Sequence, residues 1–309
     1  MSKNISFNEA FELLRKAKDI VITSHIHPDG DAIGASLAMY HILCGMNKSV
    51  NIYINDNIPD CFYFLSGCEI IQKIPDNKLE ADLIVLLDAR TNRVGGICEK
   101  ISAPVLNIDH HISNDKKVDY LILYENMSST CEILFYFMKE NNIRINEDIA
   151  MCLYMGIATD TGFFRFSNTN SSSFEVSSEL IRYGANPNII ADKMATKTFY
   201  ELQLITKAMQ TIKLFNNGKA IGIFLDKDLS ELELTDVLID MIRFTKGVDI
   251  AFLLKYESDN TYRLRMRSRY TDVSKIAIQL GGGGHINSAG ATLVGNNVLS
   301  KFISIIESI

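Results

Sequence analysis

The six cysteines, at positions 44, 61, 68, 98, 131 and 152, form no Cys-x-x-Cys pair and do not cluster with histidine. That pattern argues against a thiolate metal site and leads us to expect reduced structural thiols in a cytoplasmic protein. No apolar segment approaches the roughly 20 residues a membrane-crossing helix needs, so no membrane partner is expected. The N-terminus has no secretory pattern, because Ser6-Phe-Asn-Glu9 reads as a capping box opening an amphipathic helix that runs through Lys16. Basic surplus is also missing: 31 Lys and Arg stand against 37 Asp and Glu, a formal charge of −6. A protein that coats nucleic acid is normally basic, so any nucleotide ligand here would need metal ions or a confined basic patch. No internal repeat or low-complexity tract is evident. What remains is 309 residues, 47% apolar and 22% charged, an ordinary globular composition with length for two domains.

Charge is concentrated in an odd place. Ile22-Thr-Ser-His-Ile-His-Pro-Asp-Gly-Asp-Ala-Ile33 puts His25, Asp29 and Asp31 in a turn between an expected strand, Asp19 to Thr23, and an expected helix, Asp31 to Cys44. Ligands gather beyond the carboxyl ends of parallel strands, and two more expected strands end in similar chemistry. Ala81 to Leu87 ends at Asp88, and Pro104 to Ile108 ends at Asp109, His110 and His111; a helical stretch from Asn146 to Thr159 then delivers Asp160. A lone Asp at a strand end is more often a helix cap or turn former. Together these carboxylates and imidazoles are what a pair of divalent cations needs. Five of the six histidines, His25, His27, His110, His111 and His285, fall in turns beside Asp or Gly, and only His41 sits on an ordinary helix.

Strands spaced by helical patterns indicate a parallel α/β sheet in the first part. Ser128-Ser129-Thr130 opens an apolar helix through Lys139, where Ser129 reads equally as a cap or as a substrate contact. Ile189 to Lys213 contains no Gly or Pro and is expected as one linker helix. Lys219 to Leu225, Ile250 to Tyr256 and Thr261 to Ser268 read as strands of a smaller mixed sheet, closed by a helix from Val298 to Ile306. In Tyr262-Arg-Leu-Arg-Met-Arg-Ser-Arg269 the arginines recur with period two, so on a strand they line one face while Leu264 and Met266 pack on the other. A solvated sheet face is the bland account. Against it, the run is followed closely by the glycine-rich turn Gly281 to His285, whose backbone N–H groups could approach phosphate oxygens.

The sequence resembles the DHH phosphoesterases with a C-terminal DHHA1 domain, and within them the soluble nanoRNA exonucleases that also act as 3′-phosphoadenosine 5′-phosphate (pAp) phosphatases. The matching residues are His25-Ile-His-Pro-Asp29-Gly-Asp31, Asp88, Asp109-His110-His111, Thr159-Asp160-Thr161-Gly162, Arg267-Ser268 and Gly281-Gly-Gly-Gly-His285, in the family's order. The resemblance implies a parallel-sheet DHH catalytic domain over 1–188, a helical linker over 189–214 and a smaller mixed-sheet DHHA1 substrate-binding domain over 215–309, with the active site in the cleft. It assigns His25, Asp29, Asp88 and Asp160 to one cation, and Asp31, Asp88, His110 and Asp160 to the other. Mn²⁺ suits this mixed shell, with Mg²⁺, Co²⁺ or Fe²⁺ as alternatives. His111 would contact phosphate or stabilise the transition state, and Asp109 is read as a carboxylate that orients a ligand and not as a ligand itself.

Arg267, Ser268, Gly282, Gly283, Gly284 and His285 would grip the nucleotide. Arg90 and Arg165, beside metal-site residues, read equally as phosphate contacts or surface ion pairs. His27 departs from the family pattern and is read as a bystander. The implied substrates are short RNA or DNA oligonucleotides and nucleotides, in a cytoplasmic protein that could form a homodimer. Rival readings are hydrolysis of cyclic di-AMP or its linear product pApA, and a catalytically silent nucleotide-binding regulator. An inorganic pyrophosphatase would need a different C-terminal domain.

Overall fold

The computed structural model describes every residue except Met1, Glu231, Glu233 and Leu234, and the side chains of Asp236 and His285. By its contacts the chain divides into two units, Met1–Thr196 and Lys197–Ile309.

The first unit runs β1 (Lys3–Asn4), α1 (Phe7–Lys16), β2 (Asp19–Thr23), α2 (Gly30–Gly45), β3 (Ser49–Tyr53), β4 (Leu83–Leu87), α3 (Ile97–Lys100), β5 (Val105–Asp109), β6 (Tyr120–Leu123), α4 (Thr130–Glu140), α5 (Glu147–Asp160), α6 (Ser171–Arg182) and α7 (Pro187–Ala195). Its six strands pair in the order β1-β6-β5-β4-β2-β3, all parallel. A parallel sheet is covered on both faces, and its strands therefore read as continuous apolar runs. In β4, Leu83, Val85 and Leu87 join a core with α1, α2, α4 and α5, while Ile84 and Leu86 face a smaller cluster with Val94, Ile97 and Ile101. The Ser6–Glu9 capping box is formed: the Glu9 amide donates to Ser6 Oγ (3.2 Å) and the Ser6 amide donates to Glu9 Oε2 (2.9 Å). β1 is too short for its pattern to stand out, and it adds an edge beside β6.

The run expected as a single helix from Ile189 to Lys213 is two helices, α7 and, in the second unit, α8 (Phe199–Met209). Thr196 ends the first with extended backbone, and Thr198 caps the second, accepting from the Glu201 amide at 3.1 Å. The hydroxyl cap outweighs the unbroken helical composition across the junction.

The second unit continues with β7 (Lys213–Phe215), β8 (Ala220–Leu225), α9 (Thr235–Arg243), β9 (Ile250–Ser258), β10 (Thr261–Ser268), α10 (Val273–Gln279), β11 (Gly283–His285), β12 (Ser288–Val294) and α11 (Val298–Glu307). The sheet order is β11-β12-β10-β9-β8-β7, mixed because β8 and β9 are parallel and the rest antiparallel. One face packs Ile223 and Leu253 on α8 and α9, and the other packs Phe252, Leu264 and Met266 on α10 and α11.

Candidate metal centre

Four chain segments converge at the carboxyl ends of β2, β4 and β5. Asp29 caps α2: its Oδ1 accepts from the amides of Asp31 and Ala32, both at 3.1 Å. This turns the loop so that Asp31 points inward, where it is buried and its two oxygens accept from the amides of Thr130 (2.6 Å) and Cys131 (2.9 Å) at the start of α4. A helix N-terminus offers unpaired N–H groups and positive potential, so it holds a carboxylate that would otherwise repel its neighbours. The approach needs Gly156 on α5, since a side-chain carbon there would lie 2.6 Å from Asp31 Oδ1.

Asp88 is the centre of the arrangement. It sits at 2% exposure just beyond β4, with its backbone in the left-handed region (φ 54°), a conformation a non-glycine residue adopts at a cost. Its Oδ2 lies 3.4 Å from His25 Nε2, and its Oδ1 lies 3.5 Å from His110 Nε2 and 3.1 Å from the Thr130 hydroxyl that donates to it. Burial, and then the charges of Asp31, Asp29, Asp160 and Asp109, push its carboxyl well above the usual range. Asp160, at the end of α5, is raised by burial and by Asp31 and Asp29. Its Oδ2 is 3.6 Å from His110 Nε2.

The tautomers of both imidazoles follow from their partners. His25 Nδ1 lies 2.9 Å from the Ile26 carbonyl and His110 Nδ1 lies 3.3 Å from the Met127 carbonyl. A carbonyl only accepts, so each Nδ1 carries a proton, and each Nε2 is the nitrogen turned toward carboxylate oxygens, where the neutral ring offers a lone pair. Lone pairs facing lone pairs repel unless a cation lies between them. His110 Nε2 is accordingly buried with no hydrogen-bond partner. Two groups of donors close enough to share an ion result, His25 with Asp29 and Asp88, and Asp88 with His110 and His111. Asp88 belongs to both. The donor set fits divalent metal ions: oxygen and imidazole ligands, crowded carboxyls and an orphaned nitrogen.

His111 falls within the second group, but its Nδ1 is 2.8 Å from Asp109 Oδ1. That nitrogen donates to Asp109 and so has no lone pair to offer. Burial opposes a charge on His111, yet the Asp109 hydrogen bond and charge, with Asp31 and Asp29 beyond, outweigh it and hold the imidazole above its ordinary value. Asp109 is fully buried; burial would raise it, but His111 and Asn114 bring it below the usual carboxylate range. Its Oδ2 accepts from Asn114 Nδ2 at 2.6 Å, and that amide also reaches Asn107 Oδ1 at 2.7 Å.

The remaining expected residues are less uniform. Ser129 takes the capping alternative: it is fully buried and its Oγ accepts from the Glu132 amide at 3.1 Å. Arg90 donates to the Ser113 carbonyl at 3.4 Å, and Arg165 Nε to the Gly162 carbonyl at 2.7 Å. His27 is exposed and pairs through Nδ1 with Asp56 at 2.8 Å. In the second unit, Leu264 and Met266 are buried, and Arg263, Arg265 and Arg267 alternate with them along β10. Arg269 lies past the strand end, so it does not share that face. Ser268 Oγ donates to the Thr271 carbonyl at 2.5 Å. Gly281 to His285 was expected as a turn, but Gly283 to His285 form an edge strand against β12. Glycine is required there because a side-chain carbon on Gly284 would lie 2.5 Å from the Ser288 carbonyl oxygen. The His285 side chain is outside the described residues.

Sequence reasoning missed the residues that orient the site. Asn168 Nδ2 donates to Asp160 Oδ2 (3.2 Å) and to the carbonyls of Ser128 (3.0 Å) and Asp160 (3.1 Å). Glu132, fully buried, accepts from the Ser128 amide at 2.8 Å and from the Ser172 hydroxyl, bracing the loop before α4. Buried polar residues at these positions leave no periodic signal, and only the tertiary partners give them meaning.

Two family models match the chain: the DHH family N-terminal domain over residues 19–157 and the DHHA1 domain over residues 208–309. A relative from Thermus thermophilus named bifunctional oligoribonuclease and PAP phosphatase NrnA is 29% identical over 295 residues, covering 94% of this chain and 89% of its own. An exopolyphosphatase-related protein from Bacteroides fragilis superposes with a TM-score of 0.88 at 25% identity, covering 98% of this chain and 96% of that one. The exonuclease RecJ bound to manganese shares the fold at a TM-score of 0.55 and 12% identity, over 98% of this chain and 94% of that one. Among the described residues no helix is long and apolar enough to cross a membrane. With both domains matched in order and the motif aspartates and histidines gathered around Asp88, the chain belongs to the DHH family, in the branch that carries a DHHA1 domain.

Proposed function

We propose that the chain is a two-metal phosphoesterase that cleaves short oligoribonucleotides to mononucleotides and removes the 3′-phosphate of pAp, with Mn²⁺ as the ion. The observation that carries the reading is Asp88, one buried carboxyl shared by two imidazole-containing donor groups. The Thermus thermophilus relative, named for both activities, aligns along nearly the whole chain. His25, Asp29, Asp88 and Asp160 would hold one ion and Asp31, Asp88, His110 and Asp160 the other. Bound there, the ions would supply Lewis-acid charge to the phosphoryl group and lower the pKa of an attacking water.

The protein's own residues position and discharge. Asp109 fixes the His111 ring through Nδ1, leaving Nε2 to donate to a phosphate oxygen as charge builds in the transition state. Asn114 and Asn107 hold Asp109 in turn. In the second unit, taken by itself, Arg267, Ser268 and Gly282 to His285 are proposed as nucleotide-binding residues, the last three of them forming β11. Six free thiols fit a reducing cytoplasm.

The test incubates the protein with Mn²⁺ and, in parallel, short RNAs, pAp, pApA and cyclic di-AMP, with Asp88→Ala as control. Release of mononucleotides from RNAs of a few residues, absent in the control, is the expected result. Preference for cyclic di-AMP or pApA would move the protein to second-messenger turnover with the same chemistry. No metal-dependent hydrolysis of any substrate would refute the proposal.

A further inference from the structure

We propose that Phe244, Arg269 and Tyr270 form a stacking platform in the second unit that holds a nucleobase of a short oligonucleotide. The inference rests on the phosphoesterase reading for its substrate class and adds how that substrate's bases are recognised.

Tyr270 is 84% exposed, more than any other large apolar side chain among the described residues, and Phe244 is 51% exposed. Rings so open usually ride on loops with few backbone bonds. Tyr270 does not. Asp249 Oδ1 accepts from the amides of Arg269 (3.1 Å), Tyr270 (2.8 Å) and Thr271 (3.4 Å), and its Oδ2 accepts from the Thr271 hydroxyl (2.6 Å). Ser268 Oγ closes the same turn on the Thr271 carbonyl. The backbone that carries Tyr270 is thus fixed before any partner arrives, and an aromatic ring on a fixed support loses little conformational freedom on binding.

Phe244 lies on the adjoining turn after α9. The Arg243 guanidinium is 4.5 Å from its ring centroid and that of Arg269 is 5.9 Å away. Arg269 Nη2 also donates to the Arg243 carbonyl at 3.4 Å, which ties the two turns together. Exposed Lys246 adds another cation. The carboxyls nearby are engaged: Asp240 pairs with Arg243 Nε at 3.2 Å and Asp249 is enclosed by the loop it organises. Two guanidinium groups thus flank the open Phe244 ring, and Arg269, one of them, immediately precedes Tyr270 in the chain.

Cations interleaved with aromatic faces are the chemistry of single-stranded nucleic-acid binding, in which rings stack on bases of any identity and guanidinium groups meet the backbone. An apolar helix or a second protein surface would find the aliphatic area small and the cations costly to desolvate. Arg267 and Ser268, proposed above to grip phosphate, directly precede the platform. A stacked base beside them would be recognised by shape and not by sequence.

The test measures binding and hydrolysis separately, using a trinucleotide RNA carrying fluorescent 2-aminopurine and a series in which each base in turn is removed. The wild-type protein is expected to quench the fluorophore. Tyr270→Ala should bind the intact RNA about tenfold more weakly, while Tyr270→Phe keeps full affinity. At one position, removal of the base should abolish the difference between wild type and Tyr270→Ala. Unchanged binding by both Tyr270→Ala and Phe244→Ala would overturn the platform. So would an equal loss across every abasic RNA, which would mark Tyr270 as structural. Absence of metal-dependent hydrolysis of short RNA, pAp, pApA and cyclic di-AMP alike by the wild-type protein would instead refute the enzyme reading, and the binding results would still decide the platform.

Discussion

Replacing Asp88 by asparagine separates what this carboxyl costs the bare protein from what it contributes to bound cations. Burial and the charges of Asp31, Asp29, Asp160 and Asp109 raise its pKa in the folded state. In the unfolded chain it ionises near the ordinary value of about 3.9. Between those two values the folded state holds the extra proton, so the metal-free protein loses stability as pH rises through that interval. Asparagine removes the charge, keeps the volume and can still accept from the Thr130 hydroxyl now 3.1 Å away. Metal-free Asp88→Asn should therefore melt at or above the wild-type temperature at neutral pH.

Cations reverse the order. A single ion at a hundredfold excess over its dissociation constant stabilises the native state by about 2.7 kcal/mol. For a unit of this size that is roughly 5–10 °C in melting temperature, and about twice that for two independent ions. Because Asp88 faces His25 with one oxygen and His110 with the other, losing its charge weakens both donor groups at once. Scanning calorimetry with saturating Mn²⁺ and after chelation should show the wild-type increment shrink to less than about 2 °C in the variant, scaled by the same linkage. An increment equal to wild type would refute the shared-carboxyl reasoning. A metal-free variant melting many degrees lower would show that Asp88 serves the fold.

Asn168→Ala removes the amide that steers Asp160, and losing such an orienting partner typically costs about 10–100-fold in metal affinity or activity. Titration calorimetry with Mn²⁺ should show the loss, and wild-type affinity would contradict it. Gly156→Ala places a methyl against Cys131 and 2.6 Å from Asp31 Oδ1, so overpacking of about 1–3 kcal/mol is expected in urea denaturation. Adding Cys131→Ala should restore part of it, and no destabilisation would show that α4 and α5 yield freely. Burial would raise Asp249, but hydrogen bonds from Thr271 and the Tyr270 and Arg269 amides lower it. The stability it contributes is present above the unfolded value of about 3.9 and lost as pH falls through its folded pKa. Hydrogen exchange at the Tyr270 amide, corrected for intrinsic rate, should lose protection across that acid interval in the wild type, while Asp249→Asn lacks the transition.

Much of this protein is legible in its sequence because local chemistry and period agree. Asp19 to Thr23, Leu83 to Leu87 and Val105 to Asp109 are apolar runs that end in charge, which marks both a buried parallel strand and the side of the sheet where ligands collect. The Ser6–Glu9 box announces its helix, and the alternation of arginine with Leu264 and Met266 gives β10 and its buried face. The break at Thr196 to Thr198 was hidden because helical composition continues across it, and the edge strand at Gly283 to His285 because glycine alone reads as a turn. The tautomers of His25 and His110, the helix N-terminus under Asp31, and the support from Asn168, Asn114 and Glu132 came only from tertiary structure. Sequence determines which groups can ligate, cap or stack. Which imidazole nitrogen faces which carboxyl, and which exposed ring rides on a fixed backbone, depends on partners such as Met127 for His110 and Asp249 for Tyr270, brought together only by the packed fold.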